Sequence, residues 1–125
     1  MRIINFMPWN SPATPLFKNS NILTLADSIL LQNIIFVHDN LNNNVPSSLS
    51  EKFLFVDTNI NTRFGLLNHL EVPKTRTTLY GSKSIKSKCV DNWNFVNKHI
   101  YHEKIQDKSK SSCKMIVAKF LLERY

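Results

Sequence analysis

The chain is small and basic, with 125 residues, 16 Lys and Arg, 9 Asp and Glu, and a formal net charge of +7. Its length suits one domain of ordinary size, and its 42% content of hydrophobic residues allows a core and argues against wholesale disorder. It holds 2 glycines, too few for a sandwich or barrel whose many tight turns usually need Gly. These features predict a mainly α fold, a small domain of about four helices.

The first 20 residues contain three prolines, Pro8, Pro12 and Pro15. Proline has no backbone N–H and disfavours helix in the residue before it. We therefore expect residues 1–20 to form an extended, Pro-containing lead-in, and residues 21–125 to form a single basic helical domain.

Residues 21–41 are predicted to form the first helix. Apolar side chains recur there at the helical period and define one broad face, made of Ile22, Leu25, Ala26, Ile29, Leu30, Ile34, Val37 and Leu41. Leu31 and Ile35 fall on the other side, which indicates burial on more than one face. The residues placed to cap the start of the helix are Asn19, Ser20 and Asn21.

A short second helix is predicted after a loop over residues 42–45. Pro46 suits the first turn of such a helix, because the first turn does not need its backbone N–H. Residues 53–56 follow as the apolar end of this helix or as a short strand.

The following stretch is the least helical part of the sequence. Residues 75–80 are rich in β-favouring side chains and are followed by Gly81. A short β-hairpin is therefore possible near residues 70–80, with residues 70–72 as its first strand.

Two further helices are predicted, over residues 84–96 and 109–124. The first has an apolar stripe at helical spacing, made of Ile85, Cys89, Trp93 and Val96. The second has a stripe made of Cys113, Ile116, Val117, Phe120 and Leu121. Asp107 or Ser109 is placed to cap the start of the second helix.

The positive charge lies in the second part of the sequence. Residues 1–72 hold 4 basic and 5 acidic side chains, whereas residues 73–125 hold 12 basic and 4 acidic ones. A one-sided basic surface attracts polyanions, nucleic acid first and acidic membrane second. The alternative is that the lysines simply keep a small domain soluble.

The clearest candidate binding segment is residues 73–88, which contain no acidic residue. Together with one earlier arginine, its cations form the predicted RNA- or DNA-binding set of Arg63, Lys74, Arg76, Lys83, Lys86 and Lys88. Basic side chains neutralise phosphates, and the flanking Tyr80 and Trp93 have rings that could stack on bases. The helical register of Trp93 favours a core position instead, and the lysines could equally form a solvated face.

No catalytic or cofactor site is indicated. The aspartates are isolated from one another, whereas polymerases that use two metal ions need clustered ones. The sequence has no Gly-rich phosphate loop and no G-x-S-x-G, H-E-x-x-H or C-x-x-C motif. We therefore predict neither enzymatic activity nor a cofactor.

Cys89, His99, His102 and Cys113 form the best metal-binding set by residue type, since zinc prefers thiolate and imidazole ligands. Their spacing matches no class of zinc site, and both cysteines fall on predicted core stripes. Buried, reduced thiols are therefore favoured, and no metal site is predicted.

The sequence also predicts where the protein resides. No apolar run approaches the roughly 18 residues that a membrane span requires. The first residues do not have the basic-then-apolar pattern of a signal peptide. We expect an intracellular protein, cytoplasmic or nuclear, without membrane attachment.

A series of short motifs runs in order along nearly the whole chain. They are P-L-F at 15–17, I-L-x-L-A-D at 22–27, V-P-S-S-L at 45–49, N-T-R at 61–63, V-P-K-T-R-T at 72–77, Y-G-x-K-S-I at 80–85, W-N at 93–94, C-K at 113–114 and F-L-L-E-R-Y at 120–125. In this order the series resembles the C-terminal region of reverse transcriptases from jockey-like non-LTR retrotransposons. No single motif is specific, and the ordered set carries the resemblance.

The chain departs from the family pattern at three points. The family often has a His shortly before its N-T-R, where this chain has D-T-N at 57–59. It often has Leu-Pro after W-N, where this chain has Phe95 and Val96, and Phe before the Lys of the last helix, where this chain has Cys113. These departures fit a diverged copy.

The resemblance implies a non-catalytic tail that sits behind an upstream polymerase domain and helps to hold element RNA or target DNA. Arg63, Arg76 and the lysines that follow match basic positions of the family pattern. No catalytic residue is carried over. The resemblance also implies a truncated copy of an element, for which the alternative interpretation is a packing module with no independent biochemical activity.

Overall fold

The computed structural model describes residues 1–49, 53–56, 69–78, 81, 83–100 and 103–125. These residues form four α-helices, which are α1 (Thr14–Asn19), α2 (Leu25–Leu41), α3 (Ile85–His99) and α4 (Lys110–Glu123). The predicted small, mainly helical domain is confirmed. Within the described ranges, no helix is both long enough and apolar enough to cross a membrane.

The expected extended lead-in is wrong, because hydrogen-bonded turns form over residues 2–6 and α1 forms over Thr14–Asn19. Pro15 lies in the first turn of α1, where a missing N–H costs nothing and a fixed φ suits the helix. Leu16, in the same turn, is buried, with 7% of its surface exposed. A proline that was expected to keep the chain extended therefore starts a helix.

The start of α2 also differs from prediction. Thr24 is the N-cap, and its side chain accepts a hydrogen bond from the Asp27 N–H at 3.3 Å. Asn21 instead ends α1, in a left-handed conformation with φ of 51°. The Ile22 N–H donates to the Phe17 carbonyl at 3.0 Å, which is the closing bond of a Schellman motif.

The end of α2 repeats this motif with the asparagine run. Asn43 is left-handed with φ of 56°, and the Asn44 N–H donates to the Asp39 carbonyl at 2.8 Å. Asparagine tolerates this conformation better than most residues. Beyond it, the described part of the predicted second helix is a 3-10 turn over Ser47–Leu49.

The buried surface of α2 includes only part of the predicted face. Ile34 and Val37 of that face are fully buried, and Leu31 and Ile35 on the other side are buried as well, which confirms burial on more than one face. Leu25 and Ile29, which belong to the predicted face, are 78% and 54% exposed. The side chains that are buried are Leu31, Ile34, Ile35, Val37 and His38. Both α3 and α4 pack against α2, so the buried face is the one that these two helices cover.

The last two helices form close to where they were predicted. Ser84 caps α3 and Ser109 caps α4, each accepting from a backbone N–H three residues on. The innermost side chains of the two helices are Cys89, Val90, Trp93, Val96, Cys113, Val117 and Leu121. Ile85 departs from the predicted stripe because it lies at the first position of α3, where it is 74% exposed.

The predicted hairpin is not present among the described residues. Leu70 pairs instead with Phe55, in an isolated antiparallel bridge. Asn94 of α3 completes the arrangement, because its Oδ1 accepts from the Leu70 N–H at 2.7 Å and its Nδ2 donates to the Leu70 carbonyl at 2.9 Å. Leu70 therefore pairs with Phe55 and with the side chain of Asn94, and not with the described residues 75–78.

Polar contacts tie distant parts of the chain together. The Nε2–H of buried His38 donates to the Lys108 carbonyl at 2.8 Å, which joins α2 to the segment before α4. The Tyr125 hydroxyl donates to Asp27 Oδ2 at 2.5 Å and accepts from the Thr24 N–H at 2.8 Å. Residues that follow α4 are thus fastened to the start of α2.

Candidate nucleic-acid interface

The predicted binding cations lie in the segment that leads into α3 and in the first turn of that helix. Lys74, Arg76, Lys83 and Lys88 are exposed to solvent, and Lys86 is half-buried. Arg63, the sixth member of the predicted set, lies outside the described residues.

Local hydrogen bonds shape the turn that carries these cations. Ser84 Oγ accepts from the Ser87 N–H at 3.3 Å, and Ser87 Oγ–H donates to the Gly81 carbonyl at 3.0 Å. A Cβ atom at Gly81 would lie 2.4 Å from Thr75 Cβ, so the chain approaches too closely there for any other residue. The turn therefore holds Lys83 directly beside the start of α3.

The four exposed cations of this segment have no carboxylate partner among the described residues. Elsewhere in the described part, Lys108 pairs with Glu103, and Lys110 Nζ lies 2.6 Å from Asp39 Oδ2. A lysine already paired with a carboxylate offers little net attraction to a phosphate. The segment before α3 consequently offers unneutralised positive charge.

Lys86 and Lys88 do not share one face of α3. Since they are two residues apart, they project from the helix about 200° from each other. Lys88 instead shares a stripe with Asn92, Phe95 and His99, whose positions recur every three or four residues. The predicted cations therefore do not form one continuous stripe on α3, and Lys88 is the one that lies on the stripe of Asn92, Phe95 and His99.

This stripe ends in an aromatic cluster that joins α3 to α4. The ring centroids of Phe95 and His99 are 4.6 Å apart, and Phe120 of α4 lies 6.4 Å from Phe95 and 5.6 Å from His99. Arg124 Cζ lies 5.1 Å from the Phe95 centroid, a cation–π distance. The spacing of Phe95 and His99 was a signal in the sequence, but Phe120 could be joined to them only by the packing of α3 and α4.

The structure describes one of the two aromatic residues that were expected to flank the basic segment. Trp93 is 1% exposed and belongs to the core, which confirms the interpretation from its helical register. Its ring is therefore not accessible to a base. Tyr80 lies outside the described residues.

The candidate zinc ligands are not brought together in the described part of the chain. Cys89 and Cys113 are buried free thiols, His99 is exposed, and His102 lies outside the described residues. No group of three His, Cys, Asp or Glu side chains among the described residues is arranged to hold a metal ion. Burial, reinforced by the charge of Asp39, raises the pKa of Cys113 to about 11, which disfavours the thiolate that metal binding requires.

No protein family, curated protein or solved structure matches the chain.

Proposed function

We propose that the chain binds RNA or DNA without sequence preference, through the cations around the start of α3, and has no catalytic activity of its own. The observation that carries this proposal is the exposure of Lys74, Arg76, Lys83 and Lys88, none of which pairs with a carboxylate in the described part. Attraction of this kind acts on phosphates, is independent of base sequence, and releases counterions from the nucleic acid.

The ordered motifs support a retrotransposon origin for this binding tail, behind a polymerase domain in the full element. Two of the motifs have structural reasons in this chain, since Trp93 fills the core and Gly81 permits a close approach to Thr75. The origin is tested by sequencing the genomic DNA upstream of the codon for Met1. A polymerase coding sequence in the same frame supports it, and unrelated sequence contradicts it.

The binding proposal is tested by fluorescence anisotropy of the purified chain with labelled duplex DNA and single-stranded RNA over a series of salt concentrations. We expect micromolar or tighter binding at low salt, with log affinity falling linearly in log salt. In Lys83→Ser/Lys88→Ser the slope of log affinity against log salt concentration, measured on duplex DNA, should become shallower by about 0.9 for each phosphate that the variant no longer neutralises.

The matched control is Lys108→Ser/Lys110→Ser, which removes the same charge from lysines that already pair with Glu103 and Asp39. Its slope should change much less. Equal effects of the two double variants would mean that net charge, rather than this segment, governs binding. No binding at low salt by a folded, monomeric sample would reject the proposal.

A packing module without independent activity is the second candidate, and one specific observation favours it. Leu25 and Ile29 lie exposed on the same side of α2, and Ile3, Phe6 and Trp9 in the first residues are 90%, 96% and 86% exposed. Exposed apolar surface of this kind marks contact with another protein surface. A sample that self-associates and does not bind nucleic acid at low salt would support this candidate instead.

A further inference from the structure

We infer that the groove between the ends of α3 and α4 binds an unpaired base of single-stranded RNA or DNA, which stacks on His99 and Phe120, the two rings that line it. The inference rests on the proposed nucleic-acid binding and deepens it. The segment before α3 would hold phosphates, whereas this groove would hold a base. It would therefore favour a single strand over a duplex.

The groove has the size and the openness that a base needs. It encloses about 340 Å³ and is lined on one side by His99 and Phe120. The His99 side chain is exposed and Phe120 is half-buried, so both rings are accessible in part. The three rings are tilted against one another by 37° to 53°, so they do not form a closed stack among themselves.

Glu123 is an exposed carboxylate of the groove, and it suits a base better than a phosphate. A carboxylate repels phosphate but accepts hydrogen bonds from the exocyclic amino groups of bases. Glu103 also lines the groove, but it is paired with Lys108. Lys119 also lines the groove, and Arg124 lies beside it over Phe95. These two cations are placed to contact the phosphates on either side of a stacked base.

The groove is connected to the basic segment by the exposed side of α3. Lys88 and His99 belong to one stripe of the helix, and 11 residues of α-helix separate them by about 16 Å along its axis. A single strand of a few nucleotides covers that distance. One strand could therefore contact Lys83 and Lys88 with its phosphates and reach the aromatic cluster with a base.

The hydrogen bond at His99 keeps its ring in place. His99 Nδ1–H donates to the Phe95 carbonyl at 2.8 Å, one helical turn back. The ring is thereby held against Phe95 in the absence of a ligand, which reduces the entropy lost on stacking. Base stacking on an aromatic side chain contributes enough affinity for its removal to be measured.

The test compares two labelled single strands of equal length, one with all its bases and one in which the bases are replaced by abasic sites. The full chain should bind the base-bearing strand about tenfold more tightly at the same salt concentration. In Phe120→Leu and in His99→Gln the ratio of the two affinities should fall towards one, while affinity for the abasic strand stays the same. Lys83→Ser/Lys88→Ser should weaken the binding of both strands by the same factor.

Met115→Leu is the matched control on α4, because Met115 is 69% exposed and does not line the groove. It should keep the full preference. If Phe120→Leu perturbs folding, as judged by circular dichroism, exposed His99 gives the deciding variant. A wild-type chain that binds both strands equally, or variants that keep the preference, would overturn the stacking site and leave phosphate binding standing. Failure of every strand to bind would overturn both.

Discussion

Asn94 shows how a single side chain replaces a missing strand. Its amide makes both hydrogen bonds that a neighbouring strand would make to Leu70, and Leu70 is 1% exposed. A buried backbone N–H and carbonyl need partners, and the backbone groups in the interior of α3 bond within the helix, so a side chain provides them. The asparagine of the W-N motif is thus explained by folding, and it has no part in the candidate interface.

Cys113 should make the stability of the protein depend on pH in the alkaline range. Burial first, and the charge of Asp39 second, raise its pKa from 9.0 to about 11. The folded chain therefore holds the thiol proton more tightly than the unfolded chain does. The stabilisation is fully present below about pH 9 and is lost as the pH rises to about 11, amounting to about 2–3 kcal/mol at most.

Urea unfolding of the wild type and Cys113→Ala across this range measures the effect. The stability of the wild type should fall more steeply with pH than that of the variant. Val117→Ala, which alters a neighbouring fully buried position without a titratable group, should parallel the wild type at a lower stability. Parallel curves for wild type and Cys113→Ala would show that the thiol ionises equally in both states.

At the scale of the helices, the ends were harder to predict than the helices themselves. Ser109 caps α4, and it is one of the two predicted residues. Asn21 was available to cap α2, but α1 forms just before it and takes Asn21 as its own end. The cap of α2 therefore moves to Thr24. Capping is a local preference that depends on which neighbouring element forms.

The two sides of α2 give a direct test of which face is buried. Leu31 is 5% exposed and Leu25 is 78% exposed, although both are leucines of the same helix. Leu31→Ala should destabilise the protein by about 2–5 kcal/mol through reduced burial and a cavity, whereas Leu25→Ala should change stability by less than about 0.5 kcal/mol. Chemical unfolding followed by circular dichroism measures both, and a larger loss for Leu25→Ala would show that the side of α2 that carries Leu25 is buried instead.

At the scale of the whole molecule, hydrogen bonds of Tyr125 with Thr24 and Asp27 join the residue two positions after α4 to the start of α2. Tyr125→Phe removes the hydroxyl while keeping the ring, and leaves a carboxylate and a backbone N–H without this partner. We expect a decrease of about 1–3 kcal/mol in the free energy of unfolding.

Asp27→Asn in the background of Tyr125→Phe completes a double-mutant cycle for this contact. The substitution at Asp27 should cost less when the hydroxyl is already absent, because the two groups interact. Additive losses would show that the hydroxyl and the carboxylate stabilise the protein independently.

The amino-acid sequence is sufficient to predict a mainly helical chain, the positions of α3 and α4, and a basic segment before α3 that contains no acidic residue. These properties follow from local spacing and composition: Trp93 and Val117 recur with their neighbours at the helical period, and residues 73–88 contain no acid. Such signals act over a few residues and need no knowledge of what packs against them.

Tertiary packing, in contrast, sets how far burial extends around α2, what pairs with Leu70, and which rings meet. α2 is apolar around much of its circumference, so its period does not select one face, and α3 and α4 cover the side of Leu31. Phe95 and Phe120 are 25 positions apart in the sequence and meet at 6.4 Å between ring centroids. Contacts of this kind depend on how helices dock, and the energy of docking is shared among many side chains that no local pattern brings together.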